Sequence, residues 1–236
     1  MDPFLDRREA GRQLAAQVKS SISKAGLSGS DVLVLALPRG GAPVGIEVAR
    51  ALQAELDVFL VRKLGVPDQE ELALGAIASG GVRVLNRQLI EELRLSSDVI
   101  EQVSAREQTV LEAREKIYRE GRPRSEIAGR AVVLVDDGLA TGASMLAAAR
   151  AVRREGAGRV IVAVPVASRE ACSDLSLEVD QVICAATPHP FGAVGFWYRN
   201  FAPVTDDEVR GLLEENANRL RIENAAGRIQ PSEGSL

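Results

Sequence analysis

Between Asp6 and Ala25 the apolar residues Leu14, Val18 and Ile22 recur every fourth position, and Gly26 closes the run. That spacing predicts an amphipathic helix with a glycine stop. Asp31–Leu37 (DVLVLAL) is a short apolar run that breaks into Pro38-Arg39-Gly40-Gly41. It reads as a buried strand entering a tight loop. Ala42–Leu56 returns to helical spacing, with Pro43 suited to a first turn. Asp57–Val61 is again an apolar strand, followed by Arg62-Lys63. These pieces make a βαβ unit, whose parallel strands require a crossover helix.

Leu64–Leu85 breaks that rhythm with Gly65, Pro67, Gly75, Gly80 and Gly81, and offers LALGAIA and VRVL as antiparallel strands. Asn86–Leu93 and Ser97–Glu120 read as helices, the second long and heavily charged, and Arg122–Gly129 as a linker. A clearer βαβ unit follows: strand Ala131–Val135, loop Asp136–Gly142, helix Ala143–Glu155 stopped by Gly156, strand Arg159–Val164. A weaker helix at Ser168–Leu175 and a strand at Asp180–Ala185 continue it. Thr187–Phe201 carries two prolines and an aromatic cluster. Thr205–Leu220 is a helix opened by the capping-box pair Thr205 and Glu208, and the last dozen residues are polar. The predicted fold is α/β, a mostly parallel twisted sheet flanked by helices, with a smaller lobe built from the chain ends.

Composition narrows the chemistry. The 236 residues, 46% hydrophobic, suffice for one α/β domain with a sizeable core. Lys and Arg number 29 against 33 Asp and Glu, a net charge of −4. Such a chain has no global field to attract nucleic acid or an anionic membrane, so an anionic ligand needs a local positive site. The two cysteines, Cys172 and Cys184, form no CxxC, and the simpler reading is a reduced protein without a disulfide framework. The charged opening (MDPFLDRREAGRQ) lacks a signal-type apolar core, and no apolar run approaches the ~20 residues that span a bilayer. The expectation is a soluble, cytoplasmic protein.

The segment Val132–Ser144 concentrates the chemistry. Ligands in open α/β sheets bind beyond the carboxyl ends of the strands, where Asp136 and Asp137 leave the sheet together. Four residues on, Ala140-Thr141-Gly142-Ala143-Ser144 opens a helix whose first N–H groups are unpaired and carry the positive end of the dipole. Gly142 permits close approach, and Thr141 and Ser144 add hydroxyl donors. This is a phosphate cradle beside a carboxylate pair, which suits a ligand with a phosphate at one end and hydroxyls, or hydroxyl-bound Mg²⁺, at the other. Arg39 with Gly40 and Gly41 suits a second anion, by charge and by close backbone approach.

The segment VVLVDDGLATGAS resembles the binding motif for 5-phosphoribosyl-1-pyrophosphate (PRPP) of the type I phosphoribosyltransferases. It is similar to the adenine enzymes and to a group of predicted phosphoribosyltransferases of unassigned substrate. The latter likeness extends to LPRGGAPVG, VRKLGVP, LALGAIA and PFGAVGFWY. The resemblance implies that Asp136 and Asp137 hold the ribose hydroxyls, with Asp137 also near Mg²⁺, through water where not directly. It implies that Ala140, Thr141, Gly142, Ala143 and Ser144 bind the 5-phosphate. Arg39, Gly40 and Gly41 fall in the place of the pyrophosphate loop. Arg62-Lys63 resembles the pair that serves the pyrophosphate end in the orotate enzymes, the alternative being plain surface charge. Segment 64–81 is the candidate flap, or else a structural hairpin. Phe191, Phe196, Trp197 and Tyr198 are acceptor-stacking candidates, or else the core of the small lobe.

The implied organisation is a single phosphoribosyltransferase-like domain over 1–220. Its core is about 27–186, its hood is 187–204 with the N-terminal helix, and 221–236 is a flexible tail. The implied activity is transfer of the 5-phosphoribosyl group from Mg-PRPP to a nucleobase-like acceptor with loss of pyrophosphate, in a homodimer. A PRPP-sensing regulator without transfer is the alternative. Ala140 stands where the hypoxanthine and guanine enzymes carry an acid, which removes the obvious general base. His189, the only histidine, lies between two prolines and reads as structural or solvated. A signal-receiver domain fits poorly, because its acidic pair follows the first strand.

Overall fold

The computed structural model describes residues 2–67 and 69–227. Five strands, β1 (Val32–Ala36), β2 (Glu55–Val58), β6 (Ala131–Val135), β7 (Arg159–Val166) and β8 (Gln181–Ala186), form a fully parallel sheet in the order β2-β1-β6-β7-β8. Alternate residues of β1 and β6 serve opposite faces. Val32, Val34, Val133 and Val135 pack with α1 (Arg7–Lys24), α2 (Gly41–Leu52) and α7 (Asp206–Gly227). Leu33, Leu35, Val132 and Leu134 pack with α5 (Ala143–Arg154) and α6 (Arg169–Ser176). Burial on both faces is why these strands read as unbroken apolar runs.

The punctuated stretch after β2 forms a second, antiparallel sheet from β3 (Val61–Val66), β4 (Gln69–Ala78) and β5 (Val82–Leu85), in the order β3-β4-β5. Leu64, Leu74 and Ile77 are buried, and the sheet is anchored to the body by α5 and the long α4 (Ser97–Arg119). A short α3 (Arg87–Glu92) precedes α4. The sheet is therefore a packed layer of the fold.

Several boundaries differ from those expected. The second helix stops at Leu52, where Gln53 turns left-handed (φ 55°) and its amide caps Ala49 and Arg50, so β2 begins at Glu55. The run taken as one strand ending at Val61 divides. Val58 closes β2, the Phe59 amide still donates to Ala36, and Val61 starts β3 in the other sheet. Strand β7 continues past Pro165 to Val166, which pairs with Ala186 of the outer strand. Helix α7 runs to Gly227, seven residues into the segment expected to be a tail, whereas 228–236 lie outside the described residues. It is stitched to the sheet by Asn216, which accepts from the Leu56 amide (2.9 Å) and donates to the Ala54 carbonyl (3.2 Å).

The N-terminal residues meet segment 197–199, whereas α1 and α7 pack on the parallel sheet. The Phe4 amide donates to Trp197 O and its carbonyl accepts from Arg199, both at 2.8 Å. Phe4, Ala10, Val166 and Tyr198 form the core of the small lobe. One reading is corrected: Cys172 of α6 and Cys184 of β8 are joined as a disulfide, so tertiary packing pairs two cysteines that form no sequence motif. No helix among the described residues is long and apolar enough to cross a membrane.

Candidate functional site

Strands β1 and β6 are neighbours (Ala36 opposite Val135), yet the chain leaves them in opposite directions, from β1 to β2 and from β6 to β7. This is a topological switch point, where the crevice of an open α/β sheet lies. The loop 38–41 and the loop 136–142 both open there. They are in direct contact. The Leu37 amide donates to Val135 O (2.8 Å). A Cβ added to Gly40 would lie 2.1 Å from Asp137 Oδ2, and one added to Gly41 would lie 2.6 Å from Val135 O. Glycine at both positions is required by that contact. The Pro38–Arg39 peptide is cis.

The loop after β6 enters α5 at the positions its sequence predicts. Gly142 is the N-cap of α5, left-handed at φ 73°, with no side-chain cap on the helix. Thr141, Ala143 and Ser144 are exposed, and the Ala143 amide makes a long 3.5 Å approach to Thr141 Oγ1. The loop is braced from behind by β7 and α6. Leu139 N donates to Val166 O (3.0 Å), Ser168 N to Leu139 O (2.9 Å), and Ser168 Oγ to Ala140 O (2.8 Å). Ser168 is a support that sequence reasoning passed over as a helix start. A braced loop at the start of a helix is the kind of geometry at which anions bind.

The two aspartates have different surroundings. Asp136 Oδ1 accepts from the Asp137 amide (2.8 Å). Asp136 also lines a cavity of about 160 Å³ with Pro38, Phe59, Arg62, Arg114 and Ser144. Asp137 Oδ2 accepts from Arg7 Nε at 2.8 Å, with the two side chains 15% and 11% exposed. Burial, then the charge of Asp137, pushes the Asp136 carboxyl well above the usual carboxylate range. Burial also raises Asp137, and Arg7 opposes that rise. A site that keeps two carboxylates side by side at this cost is poised for a positive or hydroxylic ligand.

Arg62 and Lys63 are on β3, not at the end of a strand of the parallel sheet, and as neighbours in a strand they point to opposite faces. Arg62 reaches the cavity beside Asp136 while its Nε holds Glu107 Oε2 (2.6 Å). Lys63 lines a separate cavity of about 710 Å³ that it shares with Ser144 and Arg150. The half-exposed Arg39 side chain leans towards Asp206 at the start of α7 (3.8 Å), and Asp206 also accepts from Tyr118 (2.7 Å). Thus the backbone of 38–41 meets the acidic pair, but the Arg39 guanidinium does not. Arg7 and Arg114 carry no signal in the sequence. Arg7 lies 130 positions from its partner, and Arg114 is one cation among many on a charged helix.

The aromatic segment divides by residue. Tyr198 is buried between Phe4 (5.7 Å) and Phe201 (5.1 Å), and its hydroxyl donates to the Asp137 carbonyl at 2.5 Å. Burial first, then Asp137, raises its phenol pKa. Its ring therefore belongs to the core of the small lobe, the second of the two readings its sequence allowed. Trp197 Nε1 closes its own loop on Phe191 O (2.9 Å), and Phe191 packs against the same core. Phe196, 73% exposed, presents an open ring. His189 is exposed and precedes a cis proline.

Among the described residues, no group of three or more His, Cys, Asp or Glu side chains converges as a metal cage. One or two carboxylates are nevertheless the protein donors that Mg²⁺ uses when substrate phosphates and water complete its shell. Asp136 and Asp137 fit that pattern.

Comparison with known proteins agrees with the resemblance noted in the sequence. A family model described as the phosphoribosyl transferase domain matches residues 65–196. That span takes in β4, β5 and the end of β3, together with the acidic pair, the loop into α5 and part of the aromatic segment. Two Mycobacterium tuberculosis proteins, provisionally named phosphoribosyl transferases, are each 47% identical over 214 residues. The alignment covers 91% of this chain but 47% of each relative, so the chain spans about half the length of the curated relatives it matches. The crystal structure of TT1426 from Thermus thermophilus superposes with a TM-score of 0.79 at 46% identity. It covers 91% of this chain and 99% of that one.

Proposed function

Because this chain belongs to the phosphoribosyl transferase domain family, we propose that it binds Mg-PRPP at the switch point and transfers the 5-phosphoribosyl group to a nucleobase-like nitrogen, releasing pyrophosphate. One observation carries this reading. An uncapped helix N-terminus, a carboxylate pair and a glycine loop touching that pair stand together beyond the ends of β1 and β6. A phosphate on a hydroxylated ring, with a diphosphate beside it, matches those three parts in order.

In this reading the amides of Ala140 to Ser144 hold the 5-phosphate, with Thr141 and Ser144 hydroxyls as donors. Asp136 and Asp137 accept from the ribose hydroxyls. The backbone at Gly40 and Gly41 lies along the pyrophosphate, with Arg39, Arg62 and Lys63 as cations able to turn towards it. Bound Mg²⁺ would be carried on ligand oxygens and water beside Asp137, and it supplies neutralisation of the departing charge. The acceptor nitrogen bonds to C1 as the C1–O bond breaks. Pyrophosphate leaves with the electron pair, and the acceptor's proton passes to solvent. Fixed positive charge around the leaving group is the main catalytic device. Phe196 is the ring open to stack on an acceptor.

The test is pyrophosphate release from Mg-PRPP across a panel of purine and pyrimidine bases. Release with one base establishes the transferase and identifies its acceptor class. Binding of PRPP with no release from any base contradicts transfer to nucleobases and favours a sensing role.

A further inference from the structure

We propose that Arg7, from the start of α1, is a positioning residue for the Mg-PRPP site: it fixes the carboxylate of Asp137 so that one oxygen is spent on the protein and the other faces the ligand. Four contacts hold the guanidinium. Nε donates to Asp137 Oδ2 and Nη1 to the Ala202 carbonyl, both at 2.8 Å. The same group lies 3.9 Å from the Phe201 ring centre and 5.9 Å from that of Tyr198. Tyr198 in turn donates to the Asp137 carbonyl, so side chain and backbone of Asp137 are gripped from one side. On the other side Gly40 leaves room for Oδ2 and for nothing larger. Oδ2 is thereby enclosed between Arg7 and the 38–41 loop; in the proposed arrangement Oδ1 is the oxygen that meets the ligand.

The placement is not explained by helix stability. Arg7 is the first residue of α1, whose N-cap is Asp6, and a cation at a helix N-terminus faces the positive end of the dipole. Nor is it an ordinary surface pair, which would be exposed and weak. A clamped arginine also offsets the repulsion between Asp136 and Asp137 while no ligand is bound, so the pair stays set for binding.

The affinity part of this role rests on the proposed Mg-PRPP site, and two measurements separate the claims. In calorimetric titration with Mg-PRPP, Arg7→Met should weaken binding by about tenfold or more, and Arg7→Lys should recover part of the loss. Leu111→Ala, which opens the buried core under α4 away from Arg7 and Asp137, should lower Tm and leave the affinity near that of the unaltered protein. A folded Arg7→Met variant with unchanged affinity overturns the proposal, as does Leu111→Ala weakening binding equally. Without ligand, the Tm changes of Arg7→Met and Asp137→Asn should fail to add in the double variant. Additive changes overturn the proposal even if PRPP binds. Non-additive changes in a protein that does not bind PRPP retain Arg7 as the partner that fixes Asp137 and reject the function instead.

Discussion

Replacing Gly40 by alanine adds one methyl group where the loop after β1 meets the acidic pair. Gly40 has ordinary right-handed backbone angles (φ −59°, ψ −34°), so alanine costs nothing in backbone strain and the whole effect is contact. The new Cβ would lie 2.1 Å from Asp137 Oδ2 and 2.6 Å from its Cγ, against an ordinary contact distance of 3.4 Å or more. Oδ2 must retreat by about 1.3 Å, the shortfall between 3.4 and 2.1 Å. Arg7 already holds that oxygen at 2.8 Å, so the retreat breaks the ion pair or moves the loop. Overpacking costs about 1–3 kcal/mol, and a charge-assisted hydrogen bond is worth about 1.5–3 kcal/mol. The two overlap, which puts the loss on the order of 3 kcal/mol. In a domain of this size that lowers Tm by roughly 6–12 °C. Differential scanning calorimetry reads the stability, and titration with Mg-PRPP should show about tenfold or greater loss of affinity. A Gly40→Ala protein with Tm within about 2 °C of the original and unaltered affinity would refute the packed contact.

Other sites give outcomes of different kinds. Asp136 has its pKa raised in the folded state, so the folded protein holds an extra proton between the ordinary carboxylate pKa and the raised one. Its contribution to stability is present at low pH and lost as pH rises through the folded value. Asp136→Asn should therefore raise the ligand-free Tm at about pH 7 and flatten the fall of Tm from acid to neutral pH, while weakening Mg-PRPP binding. Arg119→Met leaves the buried Asp57 carboxylate without its 3.2 Å partner and should cost about 3–5 kcal/mol in denaturant unfolding. Tyr198→Phe removes the donor to the Asp137 carbonyl and should cost about 1 kcal/mol by the same measurement. Gly211→Ala, in the interior of α7 with open space where its Cβ would sit, should gain about 0.5–1 kcal/mol.

What the sequence reveals follows from how local each signal is. The unit Ala131 to Arg154 appears with its boundaries almost unchanged, because strand, acidic pair, left-handed glycine and helix start are all written in adjacent residues. Where tertiary contacts decide, the pattern misleads. Apolar spacing continues from α2 to Leu56, but the chain turns at Gln53 so that β2 can pair with β1. One apolar run becomes β2 and β3 because the chain crosses from one sheet to the other at Phe59 and Leu60. The aromatic residues of one short segment look alike in sequence, and only packing separates the buried Tyr198 from the open Phe196. The Arg7–Asp137 pair and the Cys172–Cys184 bridge have no signature at all in the chain, since each joins elements that meet only in the folded state.

In the proposed function the acidic pair and the cradle form one PRPP site. The most direct measurement is calorimetric titration of the protein with PRPP in the presence of Mg²⁺, repeated with Asp137→Asn. A single saturable site is expected, weakened in the variant while its Tm shows a folded protein. Absence of binding by the folded, unaltered protein would contradict it.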